Sequence, residues 1–170
     1  MNIPNDWQRR FFTVWIGQAF SLFGSSLANF ALIWWITQET KSATVLAIGT
    51  IVTMVPGIII GPFAGALVDR WDRRRVMIVA DALGACAAAM LAILFATGRI
   101  EVWHIYTAMF VRSLAGAFHF PAMQASTALM VPDDQLTRVA GLNQMLQGAS
   151  GIVAPPLGAL LVSVLPFAGI

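Results

Sequence analysis

Five long apolar stretches divide the chain, with crossing segments at about residues 11–38, 42–68, 76–98, 102–131 and 139–165. Polar joints separate them at Glu39 to Lys41, Asp69 to Arg75, Arg99 to Glu101 and Asp133 to Arg138. Each stretch reaches or exceeds the ~20 residues that cross a ~30 Å hydrocarbon core. Lipid offers the backbone no hydrogen-bond partners, so a crossing segment must satisfy its own amides, and these stretches are expected to be helices. The pattern predicts an all-α membrane protein with five transmembrane helices. The joints leave no room for an extramembrane domain, so residues 1–170 are expected to form a single transmembrane domain.

Composition sharpens this picture. Hydrophobic residues make up 58% of the 170 and charged residues 11%, against ~25% charged in a soluble domain. A water-soluble globule and a disordered chain are both excluded. Cytoplasmic loops retain Lys and Arg, and with the amino end inside, Arg9, Arg10, Arg70, Arg73, Arg74, Arg75 and Arg138 fall on the inner side, leaving only Lys41 and Arg99 outside. Trp7 and Trp71 then lie at the inner interface and Trp34, Trp35 and Trp103 at the outer one, the depth that amphipathic rings prefer. The expected setting is the cell inner (plasma) membrane, multi-pass, with the amino terminus cytoplasmic. Arg9-Arg10 before an apolar run is similar to a secretory signal, but no charge returns until Glu39. That run is too long for a cleaved segment and reads as a retained first span. The chain is still apolar from Leu165 to Ile170, without a charged tail, and reads as cut off.

Small and helix-breaking residues add a second layer. Pro56, Pro62, Pro121, Pro155 and Pro156 sit inside the spans, where they are expected to kink helices without ending them. Gly57, Gly61 and Gly65 recur every four residues on the second span, and Ser150, Ala154 and Gly158 on the fifth, a spacing that lets backbones approach closely. Cys86 lies in a run of small residues and reads as packing, since a single cysteine makes neither an intrachain disulfide nor a thiolate metal site.

The candidate chemistry lies in a few ionisable groups. Gly65 to Arg75 carries an acid, Asp69, at the end of the second span, followed by a basic cluster. An acid there opposes the helix dipole and needs a nearby cation or another helix's amino end. Asp81 lies six residues beyond Arg75, about 9 Å deep at 1.5 Å per residue. Its carboxylate is either tied to the basic loop or fourth span, or kept protonated by desolvation and able to exchange protons. Arg112, deep in the fourth span, must face protein or water. His119 follows at i+7 on the same face, a second proton carrier or a hydrogen-bonded packing residue. Gln18, Ser21, Ser25 and Asn29 form a polar stripe on the first span. With Met123, Gln124, Gln144, Met145 and Gln147 they would suit a cavity for amphipathic substrates, although helix-to-helix hydrogen bonding accounts equally well for each stripe residue alone.

The segment around Asp69 resembles motif A of the major facilitator superfamily, with Gly65, Asp69, Arg70, Arg73 and Arg74 at matching positions and Asp72 where the family usually has glycine. The run Asp69 to Asp81 is similar to the macrolide-efflux-like branch. Arg112, Gly116, Pro121 and Ala122 resemble motif B, whose intramembrane arginine the family ties to proton coupling. Gly141, Ser150, Ala154, Pro155, Gly158 and Ala159 fall at the spacing of motif C, the antiporter signature, with Ser or Ala replacing three glycines. The resemblance implies the amino-terminal six-helix bundle of a twelve-span drug:proton antiporter, truncated before the sixth helix. It implies motif A as a conformational latch against the missing carboxy-terminal half, Asp81, Arg112 and His119 as proton-coupling candidates, and efflux of amphipathic drugs such as macrolides. The implied partners are the lipid bilayer, a small amphipathic substrate, protons and the missing half.

No enzyme chemistry is expected. Gly148 to Gly151 resembles the Gly-x-Ser-Gly of rhomboid proteases, but no histidine follows Ser150. The sequence has no phosphate-binding loop, His-Glu-x-x-His or cysteine pair, so neither a cofactor nor a metal is expected. The basic loop is too short to imply nucleic acid. Two alternatives share these features: export of an endogenous metabolite such as a siderophore or lysolipid, and a non-transporting membrane fragment. Alternating access needs two bundles, so the 170 residues alone are not expected to transport.

Overall fold

A computed structural model describes residues 7–164. The last residue of the fifth predicted span and the apolar end, Leu165 to Ile170, lie outside the described residues. Five α-helices follow one another: α1 (Trp7–Thr40), α2 (Ala43–Val68), α3 (Arg73–Ala96), α4 (Val102–Met130) and α5 (Leu136–Val164), with one 3-10 turn at Asp133–Gln135 before α5. Each helix runs over one of the apolar stretches.

By length and composition α1, α2, α3 and α5 are apolar enough to cross a membrane. The fourth helix is long enough, with 29 residues, but carries His104, Arg112, His119 and Gln124 among several Ser and Thr. Its place in the bundle explains the difference: α4 packs against α2 on one side and α3 on the other and touches α1 as well. A helix enclosed by neighbours has less need of an apolar face all round. Large apolar side chains elsewhere point outward, among them Phe20, Ile58, Phe63, Ile93 and Ile152. In lipid that is the stable arrangement.

The short joints are set by caps. Ser42 caps the start of α2 by accepting from the Val45 N–H. Asp72 caps α3, its Oδ1 3.1 Å from the Arg75 nitrogen. At the end of α3, Gly98 takes φ 66°, and its N–H reaches Phe95 O while that of Arg99 reaches Leu94 O. This paired closure requires a left-handed residue, which glycine adopts without steric cost. All five prolines in the spans lie inside continuous helix. Pro56 offers no N–H to the Val52 carbonyl, and beside that gap the Ser113 hydroxyl of α4 donates to Thr53 O at 2.6 Å.

Three buried clusters hold the helices. Leu32 and Ile36 of α1, Ala87 and Leu91 of α3, and Ile105, Ala108 and Met109 of α4 form the largest. Val68, Met77 and Ala122 join α2, α3 and α4 at the opposite end, and Phe11, Val131 and Val139 join α1 to the start of α5. Since lipid tails are as apolar as leucine, close fit and interhelical hydrogen bonds bind such helices. Two further bonds act in this way: Tyr106 donates to Val45 O at 2.7 Å, and Trp15 Nε1 to Asn143 Oδ1 at 2.9 Å.

The glycine ladder of α2 departs from expectation. A Cβ on Gly57, Gly61 or Gly65 would meet nothing within 4 Å, so no described neighbour needs the absence of a side chain there. The close approach of α2 to α4 falls instead at Gly49, beside Tyr106 and Met109, while Pro56, Ala64 and Val68 are the other buried residues of the helix.

Candidate functional site

The inner loop is built from the end of α2 and the start of α3. The Asp69 N–H still closes the helix on Gly65 O at 3.1 Å, which places an acid at the carboxyl end of α2. Arg73, the first residue of α3, supplies the cation, its Nη2 3.8 Å from Asp69 Oδ1. Asp69 is largely exposed, so this ion pair contributes no more than about 0–1 kcal/mol. Arg75 lies 3.8 Å from Asp72, while Arg70 and Arg74 are exposed and make no ion pair among the described residues. Trp71 stacks on Phe118 of α4, ring centroids 6.1 Å apart, which lays the loop against the bundle. Where the family pattern has glycine, Asp72 has an ordinary φ of −69° and caps α3. No left-handed residue is needed there.

Arg112 and His119 lie on α4 facing different neighbours. Arg112 donates through Nη2 to Ser25 O of α1 at 3.2 Å, and no acid among the described residues pairs with it. His119 Nε2 is 3.4 Å from Asp81 Oδ1 on α3. The Nε2 atom is buried, yet the contact lacks hydrogen-bonding geometry, so it has no hydrogen-bond partner. The distance is that of an ion pair once the imidazole carries a proton. His119 keeps 19% of its side chain exposed and Asp81 46%.

The predicted cavity residues are not gathered into one pocket. Ser21, Ser25, Asn29 and Gln144 are exposed and Gln18 is half-buried. Their side chains make no hydrogen bond to a described residue. Met123 instead lines a small cleft with Phe11, Val14 and Trp15 of α1, Met77 of α3 and Ser126, Thr127 and Met130 of α4. At about 10 Å³ it has room for no more than about one water. Aromatic residues at the start of α1, absent from the predicted set, take the place of the polar stripe. Their only signal in the sequence was the run Phe11-Phe12 with Trp15.

On α5, Ser150, Ala154 and Gly158 are buried, Pro155 is half-buried and Gly141 exposed. This buried stripe faces α1: a Cβ on Gly158 would lie 2.5 Å from Phe30 Cδ1. No group of three or more His, Cys, Asp or Glu among the described residues could hold a metal ion.

Residues 14–170 match the family profile of the Major Facilitator Superfamily. The chain belongs to that superfamily. It is therefore a multi-pass membrane protein of a transporter family. The chain is 43% identical over 160 residues to macrolide efflux protein A of Streptococcus pyogenes, covering 94% of this chain and 40% of that protein. It is 44% identical over 123 residues to macrolide efflux protein A of Enterococcus faecalis, covering 72% and 38%. The multidrug efflux pump Tap of Mycobacterium bovis is 30% identical over 147 residues, covering 82% and 35%. The chain thus spans about 40% of the length of the curated relatives it matches. No solved structure matches it significantly.

Proposed function

We propose that this chain is the amino-terminal bundle of a proton-coupled exporter of amphipathic drugs such as macrolides, embedded in the plasma membrane with its amino end cytoplasmic. The observation that carries the reading is the 43% identity to a macrolide efflux protein over 94% of the chain. The partners are lipid, a small amphipathic substrate, protons and the other half of the transporter.

In this reading Gly65, Asp69, Arg70, Arg73 and Arg74 form an inner-face latch. The exposure of Asp69 supports it, because a latch residue must be free to engage the other half. Arg112 supplies a fixed positive charge at mid-depth, held to α1 through Ser25 O, and Asp81 with His119 takes up and releases the proton. Gln18, Ser21, Ser25, Asn29, Met123 and Gln144 contribute to the substrate path, while Ser150, Ala154 and Gly158 fix α5 against α1.

The test is macrolide accumulation in efflux-deficient bacteria expressing the complete reading frame that encodes this chain. Accumulation should fall on expression and recover when a protonophore collapses the gradient. Asp69→Asn should abolish efflux while leaving membrane insertion intact. Unchanged accumulation would refute the substrate class, and a growth defect relieved by one metabolite would favour an endogenous cargo.

A further inference from the structure

We propose that Asp81 and His119 form a one-proton tie that fastens α3 to α4 when protonated and releases them when not. The inference deepens the transport reading and rests on it for its role, but the tie itself is a property of this chain alone. The geometry is specific. His119 Nε2 is buried without a hydrogen-bond partner and lies 3.4 Å from Asp81 Oδ1. A buried ring nitrogen left unpaired is unfavourable, and a proton on the ring turns the contact into an ion pair that a small shift of α4 against α3 completes as a charge-assisted hydrogen bond. Asp81 keeps 46% of its side chain exposed.

The electrostatic surroundings make the single proton decisive. Between Arg10 and Glu39, and between Lys41 and Asp69, neither α1 nor α2 carries an ionisable side chain, and α5 has none after Arg138. Beyond its basic start, α3 carries only Asp81 and Cys86, and α4 carries His104, Tyr106, Arg112 and His119. Of these, Arg112 is engaged with Ser25 O of α1, Tyr106 with Val45 O of α2, and His104 with the Glu101 N–H at the far end of α4. In the inner loop Asp69 pairs with Arg73 and Asp72 with Arg75, while Arg70 and Arg74 are exposed. No second charge among the described residues contacts the pair. One proton, taken from water onto His119 Nε2, therefore carries the pair from a net charge of −1 to a neutral, hydrogen-bonded couple.

The neighbouring residue connects this event to the loop. Phe118 stacks on Trp71, so a shift of α4 relative to α3 moves the surface on which the basic loop rests. The proton state of the pair thereby biases the position of Asp69 and its arginines.

The experiment is nitrogen NMR of the 170-residue chain labelled with 15N-histidine, in lipid nanodiscs, titrated between pH 8 and pH 5.5. Loss of one signal in His104→Gln assigns the two histidines. His119 should show both ring nitrogens protonated at pH 5.5, and Asp81→Asn should lose that signature while the His104 signal stays unchanged. Should Asp81→Asn fail to fold, the wild-type spectrum still decides, since a neutral His119 at pH 5.5 overturns the tie. An imidazolium signal that persists in Asp81→Asn also overturns it. Efflux by the complete protein with a neutral His119 would remove the tie and leave the transport reading standing; a protonated pair without efflux would do the reverse.

Discussion

Two ladders of small residues at four-residue spacing lie on α2 and α5, and they meet opposite surroundings. Ser150, Ala154 and Gly158 of α5 are buried against α1, where Phe30 occupies the place a Gly158 side chain would take. Gly57, Gly61 and Gly65 of α2 face open space. Small residues at that spacing permit close approach without supplying the helix that approaches. What covers a ladder depends on the partner's own faces, and α4, the partner of α2, bonds it through Tyr106 and Ser113 to the Val45 and Thr53 carbonyls.

The largest expected effect separates the ladders directly. Gly158→Leu forces Phe30 and α1 aside and should cost about 1–3 kcal/mol, lowering the melting temperature of the purified chain in detergent by about 2–4 °C per kcal/mol. Gly61→Leu, placed in open space, should leave it unchanged or slightly raised. An equal drop in both variants would break the comparison. A smaller effect tests the bond that joins α1 and α5 nearer their amino ends. Asn143→Ala and Trp15→Phe should each cost about 0.6–1.7 kcal/mol and the double variant little more than either alone, read by a thermal double-mutant cycle. Full additivity would show that the bond contributes nothing. The smallest effect is Gly61→Ala, which should raise the melting temperature slightly, by less than the ~1 kcal/mol that alanine gains over glycine in a helix. A clear loss would mean that the α2 face is covered after all.

The helices were legible because a membrane imposes one rule on every crossing segment, and the charges from Glu39 to Lys41 and from Asp69 to Arg75 mark where that rule lapses. The cation required by Asp69 was also legible, since the helix dipole demands one wherever the acid falls. Other features were not. Trp15 and Asn143 are 128 residues apart, and each alone reads as an interfacial ring or a polar spot. Asp72 reads as a break in the glycine pattern, yet it caps α3, because the turn holds it at negative φ. The polar stripe of α1 gave a face but not its neighbour, and at the inner end Phe11 and Trp15 line the cleft instead.

The inner-face latch and the direction of proton uptake both depend on the basic loop lying on the cytoplasmic side. Cys86 is the sole cysteine, so Cys86→Ser provides a clean background for single cysteines at Arg74→Cys and Trp103→Cys. A membrane-impermeant maleimide applied to intact cells should label Trp103→Cys at once and Arg74→Cys only after permeabilisation. Labelling of Arg74→Cys from outside intact cells, with Trp103→Cys protected, would contradict the account.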